Sequence, residues 1–144
     1  MEIIKLNNDS INELVEIYNE QFKEEAWTKA QIEDAFKNKA VSFYGIKQNK
    51  ELVCFASVLT SLDDINLLDI ATKEEHKNKG YATHMLKFLL KLKNEEQTFS
   101  LEVKSKNMTA IKLYEKLGFK TLHIRKKYYK NGDDALVMFL QEHY

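Results

Sequence analysis

The sequence predicts a mixed α/β fold: a largely antiparallel sheet of about seven strands with a central parallel pair, accompanied by four helices. Three observations predict it. A strand, helix, strand unit over 65–104 demands a parallel pair joined by a right-handed crossover. Turn signals at Gln48-Asn49-Lys50 and Asn131-Gly132 close hairpins before and after that unit, so the strands there run antiparallel. The 144 residues suit one compact domain over 1–144, with no repeat, low-complexity tract or Gly/Pro-rich linker to divide it.

Glu2 to Leu6 reads as a short strand. Ser10 with Glu13 forms a capping box, and Ile11, Leu14, Val15 and Tyr18 recur behind it at helical spacing. Thr28 with Gln31 forms a second box, opening a helix through Ile32, Ala35 and Phe36, and Glu24-Glu25-Ala26-Trp27 connects the two helices. Segments 42–47, 51–59 and 65–72 read as successive strands. A polar stretch, Lys73 to Lys79, meets Gly80, and Tyr81, Met85, Phe88, Leu89 and Leu92 then form an apolar helical stripe. Thr98 to Lys104 is the next strand. Asn107 is an N-cap for the helix through Ala110, Ile111, Tyr114 and Leu117, and Gly118 is its C-terminal stop. Segments 119–129 and 135–140 read as the closing strands.

Composition excludes several classes. Formal net charge is zero, from 22 basic and 22 acidic residues, so no global field draws the chain to nucleic acid or an anionic membrane. Cys54 is the only cysteine; an intrachain disulfide is impossible, and its neighbours Leu52, Val53, Phe55 and Ala56 mark it as a small core residue. His76, His84, His123 and His143 are scattered without ligand spacing, so no metal is expected. Met1 to Lys5 lacks the apolar run of a signal peptide, and no stretch approaches the roughly 20 apolar residues of a membrane span. A cytoplasmic location with no membrane partner is expected. Arg125 is the sole arginine and proline is absent, so a lysine in an arginine's place carries little information.

Three features of the second half point to chemistry. The loop Lys73 to Lys79, turning at Gly80 into a helix, presents free N–H groups and the positive end of a helix dipole, which suits a pyrophosphate; a solvated loop accounts for it as well. In Leu101-Glu102-Val103 the alternation sets Glu102 against its apolar neighbours on a strand central to the sheet. Burial there would raise its pKa toward general-base use, whereas a solvent-exposed face would not. Tyr114 lies on the apolar stripe of the following helix, placed either to donate a proton or to fill the core.

In combination these residues resemble the GCN5-related N-acetyltransferases, the GNAT superfamily. Glu75-His76-Lys77-Asn78-Lys79-Gly80-Tyr81-Ala82-Thr83 is similar to that family's acetyl-CoA loop, which runs Gln or Arg, two residues, Gly, one residue, then Gly or Ala. Leu101-Glu102-Val103, Asn107, Ala110 and Tyr114-Glu115-Lys116-Leu117-Gly118-Phe119 resemble its C-terminal half, and the element order agrees over essentially the whole chain. Within the superfamily the chain is similar to the RimI group, which acetylates a ribosomal protein's N-terminal alanine. Leu101-Glu102-Val103, Ile124 to Tyr129, Asp134-Ala135 and Trp27 carry that likeness.

The resemblance implies a GNAT-like sheet and transfer of an acetyl group from acetyl-CoA to an amine by direct attack. The implied acceptor is a protein's N-terminal α-amine, a small-subunit ribosomal protein being the first candidate. Glu102 would be general base through water and Tyr114 general acid to the thiolate. Ile70, Ala71 and Thr72 would hold the pantetheine arm by backbone bonds. Lys77, Asn78, Lys79, Gly80, Tyr81, Ala82 and Thr83 would wrap the pyrophosphate, and Asn107 would touch the cofactor. Trp27 and Tyr128 would meet substrate, and the protein would be a monomer or weak dimer. Two positions depart from the pattern: Lys77 replaces Gln or Arg, and Ala26 replaces the proline that often precedes the tryptophan. Trp27 equally reads as a hydrophobic staple to Ile32.

An α-amine has a pKa of about 7.7–8.0 against about 10.4 for lysine, so deprotonating lysine costs roughly 3.5 kcal/mol more. One carboxylate acting through water serves the α-amine more easily. The oxyanion stabiliser would be a backbone N–H over 70–72, where the parallel neighbour diverges. Competing readings are a lysine side chain, polyamine or small amine as acceptor, and a non-catalytic acetyl-CoA-binding module, which would need neither Glu102 nor Tyr114. The run Lys120, His123, Arg125, Lys126, Lys127 and Lys130, with Tyr128 and Tyr129, also fits nucleic-acid binding, though a strand with one solvated face explains it as well.

Overall fold

One sheet carries every strand of the described residues, in the order β1-β2-β3-β4-β5-β7-β6. The structure, a computed structural model, describes residues 1–141. Its elements are β1 (Ile3–Lys5), α1 (Ile11–Phe22), α2 (Lys29–Lys37), β2 (Val41–Gln48), β3 (Glu51–Thr60), β4 (Asp64–Thr72), α3 (Tyr81–Leu92), β5 (Thr98–Lys104), α4 (Met108–Lys116), β6 (Phe119–Arg125) and β7 (Ala135–Leu140). β4 and β5 are parallel and every other described pair is antiparallel. The mixed sheet expected from the sequence is therefore present, with its parallel pair where the crossover requires it.

Alternation along the strands divides the core in two. Ile65 and Leu67 on β4 and Phe99, Leu101 and Val103 on β5 pack with Tyr81, Met85, Leu86 and Leu89 of α3 and Ile111 and Tyr114 of α4. Phe43, Phe55 and Ala71 pack on the other face with Leu14, Ile17 and Tyr18 of α1 and Ile32 of α2. Phe43, Phe55 and Phe99 are fully buried, and each such ring contributes roughly 1.5–3 kcal/mol against exposure.

Helix starts show where local signals win and lose. The Thr28 and Gln31 box forms, with Gln31 N–H donating to Thr28 Oγ1 at 3.2 Å and Thr28 N–H to Gln31 Oε1 at 2.8 Å. Trp27 joins the same apolar cluster as Ile32, as a staple does. The Ser10 and Glu13 box does not form. Asn7 caps the preceding single turn by accepting from Asp9 N–H at 2.9 Å, and Ser10 makes no capping bond. Glu13 accepts instead from Leu52 N–H at 2.8 Å, so tertiary contact outbids the local motif. Asn107 caps α4 by accepting from Ala110 N–H at 3.2 Å, and Gly118 ends it in the left-handed region, φ 104°.

The sixth strand is shorter than expected, ending at Arg125 rather than Tyr129. Lys127 turns the chain at φ 51°, while Asp134 takes the Lys127 N–H at 3.0 Å and the Lys126 ammonium at 3.3 Å. The result is a loop over 126–134 that carries Tyr128 and Tyr129 away from the sheet edge.

Candidate active site

A gap in the sheet defines the site. β4 and β5 pair only from Asp64–Thr98 to Leu67–Leu101. A side-chain relay fixes that end: Asn66 donates to Ser100 Oγ at 2.9 Å, and Ser100 donates to Asp64 Oδ2 at 2.8 Å. Beyond it β5 continues against β7, from Glu102–Val137 to Lys104–Ala135. β4 bends away at a bulge, where Ser57 opposes Asp69 and Val58 opposes Leu67, leaving Leu68 as the extra residue. The divergence that sequence alone did not reveal is thus built from a bulge.

The backbone register says which groups face the gap. Lys73 N–H donates to Val53 O at 2.8 Å, and in an antiparallel pair such residues alternate. Ala71, opposite Phe55, therefore turns its amide to β3, while Ile70 and Thr72 turn theirs to the gap. Of the trio expected to hold a pantetheine arm, Ile70 and Thr72 offer backbone groups there, and Ala71 does not.

The loop after β4 has the geometry an anion needs. Asn78 at φ 64° and Gly80 at φ 85° reverse the chain into α3. The first bond of that helix is His84 N–H to Gly80 O at 3.0 Å, so the N–H groups of Tyr81, Ala82 and Thr83 precede it and point outward. A side chain at Gly80 would meet nothing within 4 Å, which leaves the approach open. The residues present fit a pyrophosphate. Lys77 pairs with Glu74 at 3.2 Å and Lys79 is exposed.

Glu102 lies on the α1/α2 face, and its side chain is 26% exposed. Arg125 Nε stands 3.4 Å from its Oε1, and the Tyr128 hydroxyl hydrogen-bonds to it. The carboxylate held above its usual range is Asp69 of β4, which is half-buried. Burial pushes that carboxyl up to about 7, and the Tyr18 hydroxyl, donating to Asp69 Oδ2 at 2.7 Å, partly offsets the rise. Sequence reading missed Asp69, although a lone acid in the apolar run of β4 was the same kind of signal as Glu102.

Four phenols surround these acids. Tyr114, 6% exposed, has its hydroxyl held well above the usual range by burial first and by the charges of Asp69 and Tyr129. Tyr129 is pushed up to about 12 by burial, then by Glu102, Tyr128, Asp69 and Glu25. Tyr128, half-exposed under the Arg125 guanidinium at 5.5 Å, is raised by its bond to Glu102 first. Burial and Asp69 raise Tyr18, which stacks on Trp27 at 5.7 Å. Lys130 ties the β6–β7 loop to the α1–α2 connection, its N–H donating to Glu25 at 2.9 Å and its ammonium to Glu24 O at 3.4 Å. The two loops carrying Trp27 and Tyr128 are thereby held together on one face.

The basic run reads differently in three dimensions. Arg125 pairs with Glu102, Lys126 with Asp134 and Lys130 with the Glu24–Glu25 connection, so these cations are spent within the fold. Glu51, Glu75 and His76 come within 4.8 Å of one another, a grouping that histidine spacing did not show. Lys73 already bonds Glu51 at 2.7 Å there. His143 lies outside the described residues. Among those described, no helix is long and apolar enough to cross a membrane.

Residues 9–119 match the Acetyltransferase (GNAT) family. The chain belongs to that family, and the family match and its relatives make it an acetyl-CoA-dependent N-acetyltransferase. It is 34% identical to the [ribosomal protein bS18]-alanine N-acetyltransferase of Escherichia coli over 67% of this chain and 69% of that one. It is 42% identical to the N-alpha-acetyltransferase of Saccharolobus solfataricus over 51% of this chain, a match that spans just under half of that enzyme, 46%. The crystal structure of the Escherichia coli ribosomal-protein-S18-alanine N-acetyltransferase superposes with a TM-score of 0.88 at 27% identity, covering 96% of this chain and 92% of that one.

Proposed function

We propose that this protein acetylates the N-terminal α-amine of a protein, with a ribosomal protein beginning in alanine as the first candidate. One observation supports the mechanism: β4 and β5 part just where Glu102 follows Leu101, and Glu102 and Tyr114 lie on opposite faces of the sheet, so an acyl group threaded there would have a carboxylate on one side and a phenol on the other. The acetyl thioester supplies the acyl group and a thiolate leaving group. Ile70 and Thr72 would hold its arm by backbone bonds, with an N–H there facing the developing oxyanion. The amides from Lys77 to Thr83 would grip its pyrophosphate, and Asn107, beyond its capping bond, would touch the cofactor.

Glu102 takes a proton from the attacking nitrogen through water, and Tyr114 gives one to the departing sulfur. Arg125 and Tyr128 hold the Glu102 carboxylate in place. Trp27 and Tyr128, on the two loops that Lys130 joins, would wall the acceptor chain. That relatives carry the names of alanine and α-amine N-acetyltransferases supports this acceptor class.

The test is thiol release with acetyl-CoA and a panel containing an alanine-starting ribosomal peptide, an N-terminally blocked peptide with an internal lysine, and a polyamine. Turnover confined to the free N-terminus is expected. Preference for the blocked lysine peptide or the polyamine would reject the acceptor, and acetyl-CoA binding without turnover would leave a binding module.

A further inference from the structure

The Tyr18–Asp69 pair is a titratable unit at the gap that the mechanism above leaves unused. Tyr18 reaches it from α1, donating to Asp69 Oδ2 at 2.7 Å. Asp69 sits just past Leu67, where β4 has already parted from β5. Tyr114 from α4 and Tyr129 from the β6–β7 loop both feel its charge, and Tyr129 also feels Glu102 and Glu25. From β3 the residue opposite is Ser57, which brings no charge. Among the described residues no lysine or arginine pairs with Asp69. A half-buried carboxyl bonded by one phenol and lacking a resident cation is a place for an incoming one.

The proton balance supplies a task. An α-amine arrives as R–NH₃⁺ and leaves as R–NH–CO–CH₃, so its nitrogen loses two protons. The second leaves as the N–C bond forms and the C–S bond breaks: Glu102 receives it, Tyr114 protonates the sulfur, and the proton held by Glu102 restores Tyr114. The first must leave earlier, because the nitrogen lone pair is the nucleophile. We propose that Asp69, positioned by Tyr18, pairs with the incoming α-ammonium and accepts that first proton, passing it afterwards to solvent. This rests on the acceptor class proposed above. An acid pushed up to about 7 is matched to an α-ammonium of about 7.7–8.0 and poorly matched to a lysine of about 10.4, so the same device selects α-amines.

The experiment compares an alanine-starting peptide with the same sequence carrying an aminooxyacetyl N-terminus, whose nucleophilic nitrogen is already neutral at about pH 7. Asp69→Asn is expected to lower kcat/KM for the alanine peptide about three- to sixfold near pH 7 and to leave the aminooxy peptide within about 1.5-fold. The inflection for the alanine peptide should move from near the Asp69 range up to the amine's own, about 7.7–8.0. Tyr18→Phe, which removes the bond that lowers Asp69, should also move the inflection upward while the carboxylate remains. Equal losses on both peptides, or an inflection unmoved in both variants, overturn the proposal while wild-type turnover keeps the acceptor reading. No wild-type turnover of either peptide overturns both.

Discussion

Glu102 of β5 and Tyr114 of α4 lie on opposite faces of the sheet. Leu101 and Val103 pack into the same cluster as Tyr114, so the residue between them points the other way. Only where two strands part can groups from both faces act on one bound molecule. Glu102→Gln keeps the shape and removes the base, and should lower kcat at least about tenfold with little change in acetyl-CoA affinity. Turnover within about twofold of wild type at neutral pH would take Glu102 out of the mechanism.

Tyr114→Phe separates chemistry from packing. The ring stays in its cluster, T-shaped against Phe119 at 5.8 Å, and only the hydroxyl is lost. Single-turnover thiol release should slow by about tenfold or more while the calorimetric affinity for acetyl-CoA holds within about twofold. An unchanged rate would make Tyr114 a core residue alone.

Most of the fold was readable because its cues are local and periodic: the alternation of Leu101, Glu102 and Val103 in β5 and the Asn107 cap appear as expected, and the stripe after Gly80 buries Tyr81, Met85 and Leu89, although Leu86 joins it and Leu92 is exposed. Misreadings arose where a distant partner decided the outcome. Glu13 is claimed by Leu52 from β3, and the end of β6 is set by Asp134 across the loop. At the site, Glu102, Tyr114 and Gly80 stood out by residue type and context. The role of Asp69 depends on Tyr18 fifty-one positions away, and no spacing rule connects them.

The two capping boxes make a paired test of that lesson. Thr28→Ala removes a bond that exists and should cost about 1 kcal/mol, lowering Tm by about 3–5 °C. Ser10→Ala removes no capping bond and should cost no more than about 0.5 kcal/mol. Equal shifts for the two in thermal unfolding would contradict the helix starts described here.

Gly80→Ala probes the amide loop. Its φ of 85° strains any side chain, although a Cβ there would meet nothing within 4 Å. The strain should cost about 1–2 kcal/mol of stability, and the acetyl-CoA Kd should rise about tenfold as the N–H row shifts. Lost stability with unchanged affinity would mean that the loop is not the pyrophosphate site.

Asp69 should also leave a mark on stability with a definite sign. Its carboxyl rises from 3.8 to about 7 on folding, chiefly through burial. Below about pH 4 it is protonated in both states and contributes nothing; between about pH 4 and 7 the native state alone keeps the proton, so stability falls as pH rises. Above about pH 7 the full penalty applies, on the order of 2–4 kcal/mol given partial exposure. Asp133 and Asp134, held below the usual carboxylate range by Lys106 and by the Lys127 N–H respectively, slope the opposite way at lower pH, so the wild-type curve alone is a mixture. The difference between Asp69→Asn and wild type isolates the one group: in urea titrations the variant should be more stable at pH 8, with the gain shrinking toward pH 4. A gain that is flat across that range would mean that Asp69 titrates like an ordinary surface acid, and with that its place as a proton acceptor for the α-amine would be gone.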